Sequence, residues 1–227
     1  MEDLKIAGYG KSGGGNFNKI SINGYGEILD DVFCKSFNGS GTAKVKGYVA
    51  SKSLKFAGEI FIEEYLQTKE LDITGRLEVK GDTKANDIDI SGDLSILGNL
   101  KANDVIINGG LICYGNLTCE EIKLNGGITV KQELCAENVI LKSYDIDIDE
   151  IHAEKVVIKK PFTLNLRKKR ININEIECTK IEAEILNCKK LCAHDVKLSK
   201  KCVIDVLEYT GNLDIEPGCT IREIIKL

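Results

Sequence analysis

Few residues in this chain have types and spacing that could do chemistry. There are two histidines, His152 and His194, and neither stands among residues that would build a cleft. Cys188, Cys192 and His194 are the right types for zinc, but no fourth ligand is spaced for tetrahedral binding. Asp145, Asp147 and Asp149 alternate along one side of a strand, as a calcium ladder or, more simply, as a solvated acidic strand. The run Lys11-Ser-Gly-Gly-Gly15 reads as a flexible loop, because a phosphate cradle needs a following helix and a Gly-Lys-Ser or Gly-Lys-Thr ending. The basic run Arg167-Lys-Lys-Arg170 could meet anionic lipid or nucleic acid; without further basic or aromatic residues around it, a solvated corner is the better reading. These residues imply no enzyme, no metal and no cofactor.

The elements that must position them follow from a repeat. ANDIDISGDLSILGNLK, starting at Ala85, is followed by ANDVIINGGLICYGNLT, seventeen residues on. Stepping by seventeen from Ala85 reaches Phe17, Cys34, Ser51, Thr68, Ala102, Cys119, Ala136 and Ala153. Two apolar columns accompany them, one through Leu54, Leu71, Ile88 and Val105, the other through Phe56, Ile73, Ile90 and Ile107. A glycine column runs through Gly58, Gly75, Gly92 and Gly109, with Gly41 in register and Gly39 displaced by two. Leu94 with Ile96 and Leu111 with Cys113 form a second apolar pair, and Gly47, Gly81, Gly98 and Gly115 a second glycine column.

Apolar residues two apart share one face of a strand, so each repeat holds three short strands with two inward residues apiece. Glycine at two corners supplies positive φ cheaply, and Asn-Asp or Glu-Glu pairs turn the third. Three strands per coil, stacked by period, describe an all-β parallel β-helix, a solenoid of about thirteen coils. A helix would need a 3.6-residue period, and a barrel or sandwich longer, hairpin-linked strands. One domain over 1–227 is expected: regular coils over 4–160, an irregular one over 161–175 with Phe162, Leu164 and Leu166 still alternating, and a closing part over 176–227. At Ser143 the pattern slips by one, and Ile146 and Ile148 take the apolar role late. From Ile176 to Leu198 apolar residues recur every five residues, so the coil tightens to about fifteen. Outward columns carry charge, as in Lys46, Glu63 and Lys80, which stack with alternating sign.

Composition sets further bounds. Aromatics are 6% with no Trp, which suits a narrow aliphatic core, and the net charge of −4 offers no electrostatic argument for nucleic acid. No apolar run approaches the ~20 residues of a membrane span, and the start lacks a leader pattern, so a cytoplasmic location is expected. Nine cysteines read as reduced thiols, since Cys34, Cys113 and Cys119 fall in inward columns.

The repeated ISGDL, INGGL and GNLKA phrases, with a short glycine-rich start, resemble bactofilins, polymer-forming bacterial cytoskeletal proteins, over about Leu4 to Ile158. The closing EYTGNLDIEPGCTIREIIKL is similar to the last coil of longer members. The resemblance implies a right-handed β-helix that assembles end to end into filaments without nucleotide and scaffolds envelope, shape or motility machinery. Many members add a tail with a membrane-binding motif; here the repeat begins at Leu4, and a peripheral position at the inner face of the membrane stays open. For self-assembly the candidates are Leu4, Ile6, Leu213, Ile215, Ile221 and Ile224, at strand-like stretches near the two ends. Leu97, Ile112 and Tyr114 point outward together as a candidate partner patch, which would suit a monomeric binding scaffold instead.

Overall fold

A computed structural model describes residues 1–161 and 170–227. The expected alternation of Phe162, Leu164 and Leu166, and the Arg167-Lys168-Lys169 part of the basic run, lie outside the described residues. The chain is a parallel β-solenoid with 81% of its residues in strand, no helix among those described, and about 13 turns some 17 residues apart. It divides into two compact units, Met1–Gly115 and Asn116–Leu227.

The first unit opens with four long strands, β1 (Glu2–Ser12), β2 (Gly15–Ile28), β3 (Val32–Val45) and β4 (Val49–Ile62). Short and long strands then alternate as β5 (Leu66–Gln67), β6 (Glu70–Val79), β7 (Thr83–Lys84), β8 (Asp87–Ile96), β9 (Leu100–Lys101) and β10 (Asp104–Cys113). Pairing is parallel and steps by seventeen: Leu54 lies beside Leu71, Leu71 beside Ile88 and Ile88 beside Val105. Two of the three expected sides run together as one bent strand, because the first glycine column turns the corner without breaking the ladder. Gly75, Gly92 and Gly109 remain paired while φ at Gly92 is 139°. A Cβ on Gly92 would stand 1.9 Å from the Gly75 carbonyl oxygen, so only glycine fits.

The second glycine column has a different cause from the positive φ expected of it. Gly47, Gly81, Gly98 and Gly115 keep negative φ; they are small because the neighbouring turn presses against them. A Cβ on Gly47 would meet Asp31 Oδ1 at 2.3 Å, and one on Gly98 would meet Asp82 Oδ1 at 2.4 Å. Those carboxylates accept backbone N–H groups of the next turn, from Tyr48 at 3.1 Å and Asn99 at 2.8 Å, which satisfies donors at a corner where the ladder lapses. The displaced Gly39 occupies an inward slot between Ile22 and Phe56. The Phe56 ring lies within 2.8 Å of where its Cβ would be, so glycine there makes room for Phe37 and Phe56 on consecutive turns.

In the second unit β11 (Leu117–Lys159) winds through 43 residues without interruption. It is followed by β12 (Arg170–Ala183), β13 (Leu186–Leu198), β14 (Cys202–Tyr209), β15 (Leu213–Ile215) and β16 (Thr220–Lys226). The step from β11 to β12 is longer, with Ile151 beside Ile176 and Val156 beside Ile181. From β12 to β13 it shortens to the expected fifteen, Ile176 lying beside Leu191 and Ile181 beside Val196. It relaxes again from β14 to β16, where Ile204 lies beside Ile221. The slip at Ser143 has a local cause. Its buried hydroxyl donates to the Asp145 carbonyl at 3.0 Å and accepts the Asp145 N–H at 2.9 Å, forming a tight loop that absorbs one residue before Ile146 and Ile148 turn inward.

Both units bury the expected columns. Leu54, Ile60, Leu77, Ile90, Ile96 and Leu111 are at most 1% exposed in the first, as are Ile122, Val139, Leu141, Ile176 and Leu191 in the second. At about 25 cal/mol per Å² of apolar surface, these ladders supply the main drive to fold.

Candidate interaction surfaces

Among the described residues the surface carries open, shallow hollows. In the second unit His152, Glu177, Cys178, Cys192, His194 and Thr210 line one of about 420 Å³. Strand alternation sends Cys178 and Cys188 inward and leaves Cys192 half-buried and His194 exposed. His152 stands between Glu150 at 3.6 Å and Glu177 at 3.5 Å, and His194 Nδ1 lies 2.7 Å from the Thr210 hydroxyl. Burial, then the Glu208 and Glu177 carboxylates, raise the Cys192 thiol above its ordinary value, which makes it a poor nucleophile at neutral pH. Among the described residues no group of three His, Cys, Asp or Glu side chains is placed to hold a metal ion.

The three aspartates are matched one for one by donors on β12. Arg170 Nε donates to Asp145 at 3.2 Å, Asn172 to Asp147 at 3.4 Å and Asn174 to Asp149 at 2.5 Å. Lys131 Nζ reaches Asp147 at 2.7 Å. This lowers the Asp147 carboxyl below the usual range, the Lys131 hydrogen bond being the largest cause. An acidic strand whose carboxylates are already held by amide and cationic groups is a structural ladder, and Arg170 belongs to it.

In the first unit Leu97, Ile112 and Tyr114 are 46%, 40% and 51% exposed. Glu78, Ser95, Leu97 and Tyr114 line a hollow of about 360 Å³, and Ile112 is the strand neighbour of Ser95. Nearby, Lys80 stands 4.0 Å from Glu63, but Lys46 turns to Glu27 at 3.4 Å rather than to Glu63, so the alternating stack is partial. A second apolar feature escaped the reading of the sequence. Tyr48 stacks on Tyr65 at 4.7 Å, meets Phe33 edge-on at 4.9 Å, and forms an aromatic corner with Phe33 and Tyr65 about 40% exposed. Its signal is the seventeen-residue spacing of Tyr48 and Tyr65, visible only in outward columns.

The terminal strands carry the remaining candidates. β1 pairs with β2, β15 with β13 and β16 with β14, and among the described residues no further strand lies on their outer edges. Ile6 is 7% exposed and Leu4 half-buried in the first unit. In the second, Leu213, Ile215 and Ile221 are half-buried and Ile224 is 49% exposed, whereas Ile204 and Leu207, one turn inward, are fully covered.

A stretch of 49 residues is 43% identical to the uncharacterized protein YhbE of Bacillus subtilis (strain 168), covering 22% of this chain and 21% of that protein. The match thus spans about a fifth of that relative's length. No protein-family model matches the chain, and no solved structure matches it. The fold is compatible with a structural or scaffold role. No helix among the described residues is long and apolar enough to cross a membrane.

Proposed function

We propose that this protein is a structural, bactofilin-like scaffold that self-assembles end to end into filaments without a nucleotide and supports envelope, shape or motility machinery. The observation that carries the reading is the state of the terminal strands. Among the described residues β1, β15 and β16 each offer an unpaired outer edge, and Leu4, Leu213, Ile215, Ile221 and Ile224 keep apolar surface that interior turns bury. Open parallel edges recruit further strands, and an identical junction repeated between copies gives a filament rather than a closed oligomer. Sedimentation and negative-stain microscopy over a range of concentrations test it. Filaments are expected from the unmodified protein and their loss from Ile215→Lys or Leu4→Lys with the fold retained, Ile6 being buried in β1; a wild-type protein that stays monomeric at high concentration overturns the reading.

A second reading, a monomeric scaffold recruiting another protein, rests on the hollow at Leu97 and Tyr114 with Ile112 exposed beside it. Single exposed apolar residues are ordinary, but here three gather on consecutive turns. In that case Leu97→Lys with Tyr114→Lys abolishes partner capture without altering the melting temperature.

A further inference from the structure

The last two turns of the second unit bring two thiols together. Cys202 opens β14 and is fully buried, while Cys219, in the turn between β15 and β16, is half-buried. One residue further on, Val203 pairs with Thr220, so the two cysteines hold equivalent positions on consecutive turns. Burial, and after it the neighbouring Cys219, pushes the Cys202 thiol up to about 12. Each thiol also faces a carbonyl, Cys202 Sγ at 3.6 Å from Ala183 O and Cys219 Sγ at 3.0 Å from Ser199 O. Cys178 and Cys192 differ: Cys192 pairs opposite Glu177, and Cys178 opposite Ala193, which sends the two thiols to opposite faces.

Equivalent positions on paired strands lie about 4.8 Å apart. A disulfide accepts Cα separations of roughly 4.4–6.8 Å, a range that holds this strand spacing, and asks for the two Cβ atoms to close to roughly 3.5–4.5 Å. Cys219 can supply that closure, because it lies outside any strand and directly after the Pro217-Gly218 turn, where Gly218 has φ 105°.

We propose that Cys202 and Cys219 form a thiol-oxidation site whose disulfide staples the closing turn to the one before it, with a low-molecular-weight disulfide such as oxidised glutathione as the oxidant. The Cys219 thiolate attacks one glutathione sulfur, breaking that S–S bond and releasing the first glutathione thiol. Cys202, the slower nucleophile because burial raises its thiol, then gives up its proton and attacks the Cys219 sulfur, displacing the second. Two protein thiols become one disulfide, and two electrons and two protons leave on two molecules of glutathione. The ring so closed contains the Pro217-Gly218 turn and β15, and it anchors the chain at the residue before β16. The inference stands whether or not the protein polymerises.

The test treats the native full chain with oxidised glutathione, alkylates remaining thiols and digests with trypsin. Cleavage after Lys201 and Arg222 leaves both cysteines, and no other, in one peptide. That peptide is expected to lose two hydrogens and escape alkylation, while amide exchange in β15 and β16 slows and the melting temperature rises; a reducing agent reverses all three. Cys219→Ser, a substitution at a half-buried turn position, should fold and show none of these responses. A persistent glutathione adduct on Cys219, alkylation of both thiols, a linkage through other cysteines, or a disulfide that leaves exchange in β16 unchanged would each overturn the proposal.

Discussion

Asp31 and Gly47 fit as a pair across consecutive turns. The Asp31 carboxylate accepts the Tyr48 N–H at 3.1 Å, and Gly47 has no side chain because a Cβ would lie 2.3 Å from the same oxygen. Asp82 and Gly98 repeat the arrangement.

Gly98→Ala is therefore expected to destabilise the first unit by about 1–3 kcal/mol, the range for overpacking a filled site. Removing the carboxylate as well should not rescue it, since Gly81 C and Asp82 N stand 2.7 and 2.8 Å from the added carbon. Denaturant unfolding of Gly98→Ala and of the double variant with Asp82→Ala checks this; full recovery in the double variant would show that backbone crowding is unimportant.

Neighbouring positions on β8 should respond oppositely to charge. Ile96 is 0% exposed and Ser95 half-buried and outward. Ile96→Lys places an unpaired ammonium among stacked aliphatics and is expected to cost several kcal/mol, about 3 or more, or to prevent folding. Ser95→Lys should stay within about 0.5 kcal/mol. Equal melting temperatures would mean that the inward columns are wrongly assigned.

Thr83 offers the reverse experiment. It is 2% exposed in a column whose neighbours are Leu66 and Leu100, and among the described residues its Oγ1 has no hydrogen-bond partner. Valine has nearly the same shape without the hydroxyl, so Thr83→Val should stabilise the protein by about 1–2 kcal/mol. Chemical denaturation reads the sign directly, and a loss of stability would reveal a partner for that hydroxyl.

Acid should reveal the ladder at Asp147. Its carboxyl is lowered in the folded state, first by Lys131 and then by Asn172 and Arg170. The contribution is thus present above the unfolded carboxyl pKa and is lost as pH falls through the lower folded value. Asp147→Asn should reduce stability at neutral pH and flatten its decline below about pH 4. An unchanged profile would show that the Lys131 contact is not maintained in solution.

The solenoid was legible in the sequence because its requirements are periodic. Every turn must bury the same columns, so Leu54, Leu71, Ile88 and Val105 announce the seventeen-residue step and Ile176, Ile181, Leu186 and Leu191 its tightening. Outward positions carry no such obligation, and their meaning waits on neighbours from other turns. Asp145, Asp147 and Asp149 read as a solvated acidic strand until Arg170, Asn172 and Asn174 are laid beside them by a register that no local spacing predicts. The same holds for Gly47 and Gly98, which the sequence presents as flexible corners and the structure explains by a carboxylate from the preceding turn. Cys202 and Cys219 likewise become a pair through stacking alone. Burial periodicity is written along the chain because each residue meets the core independently; contact between turns is decided by which residues the stacking sets side by side.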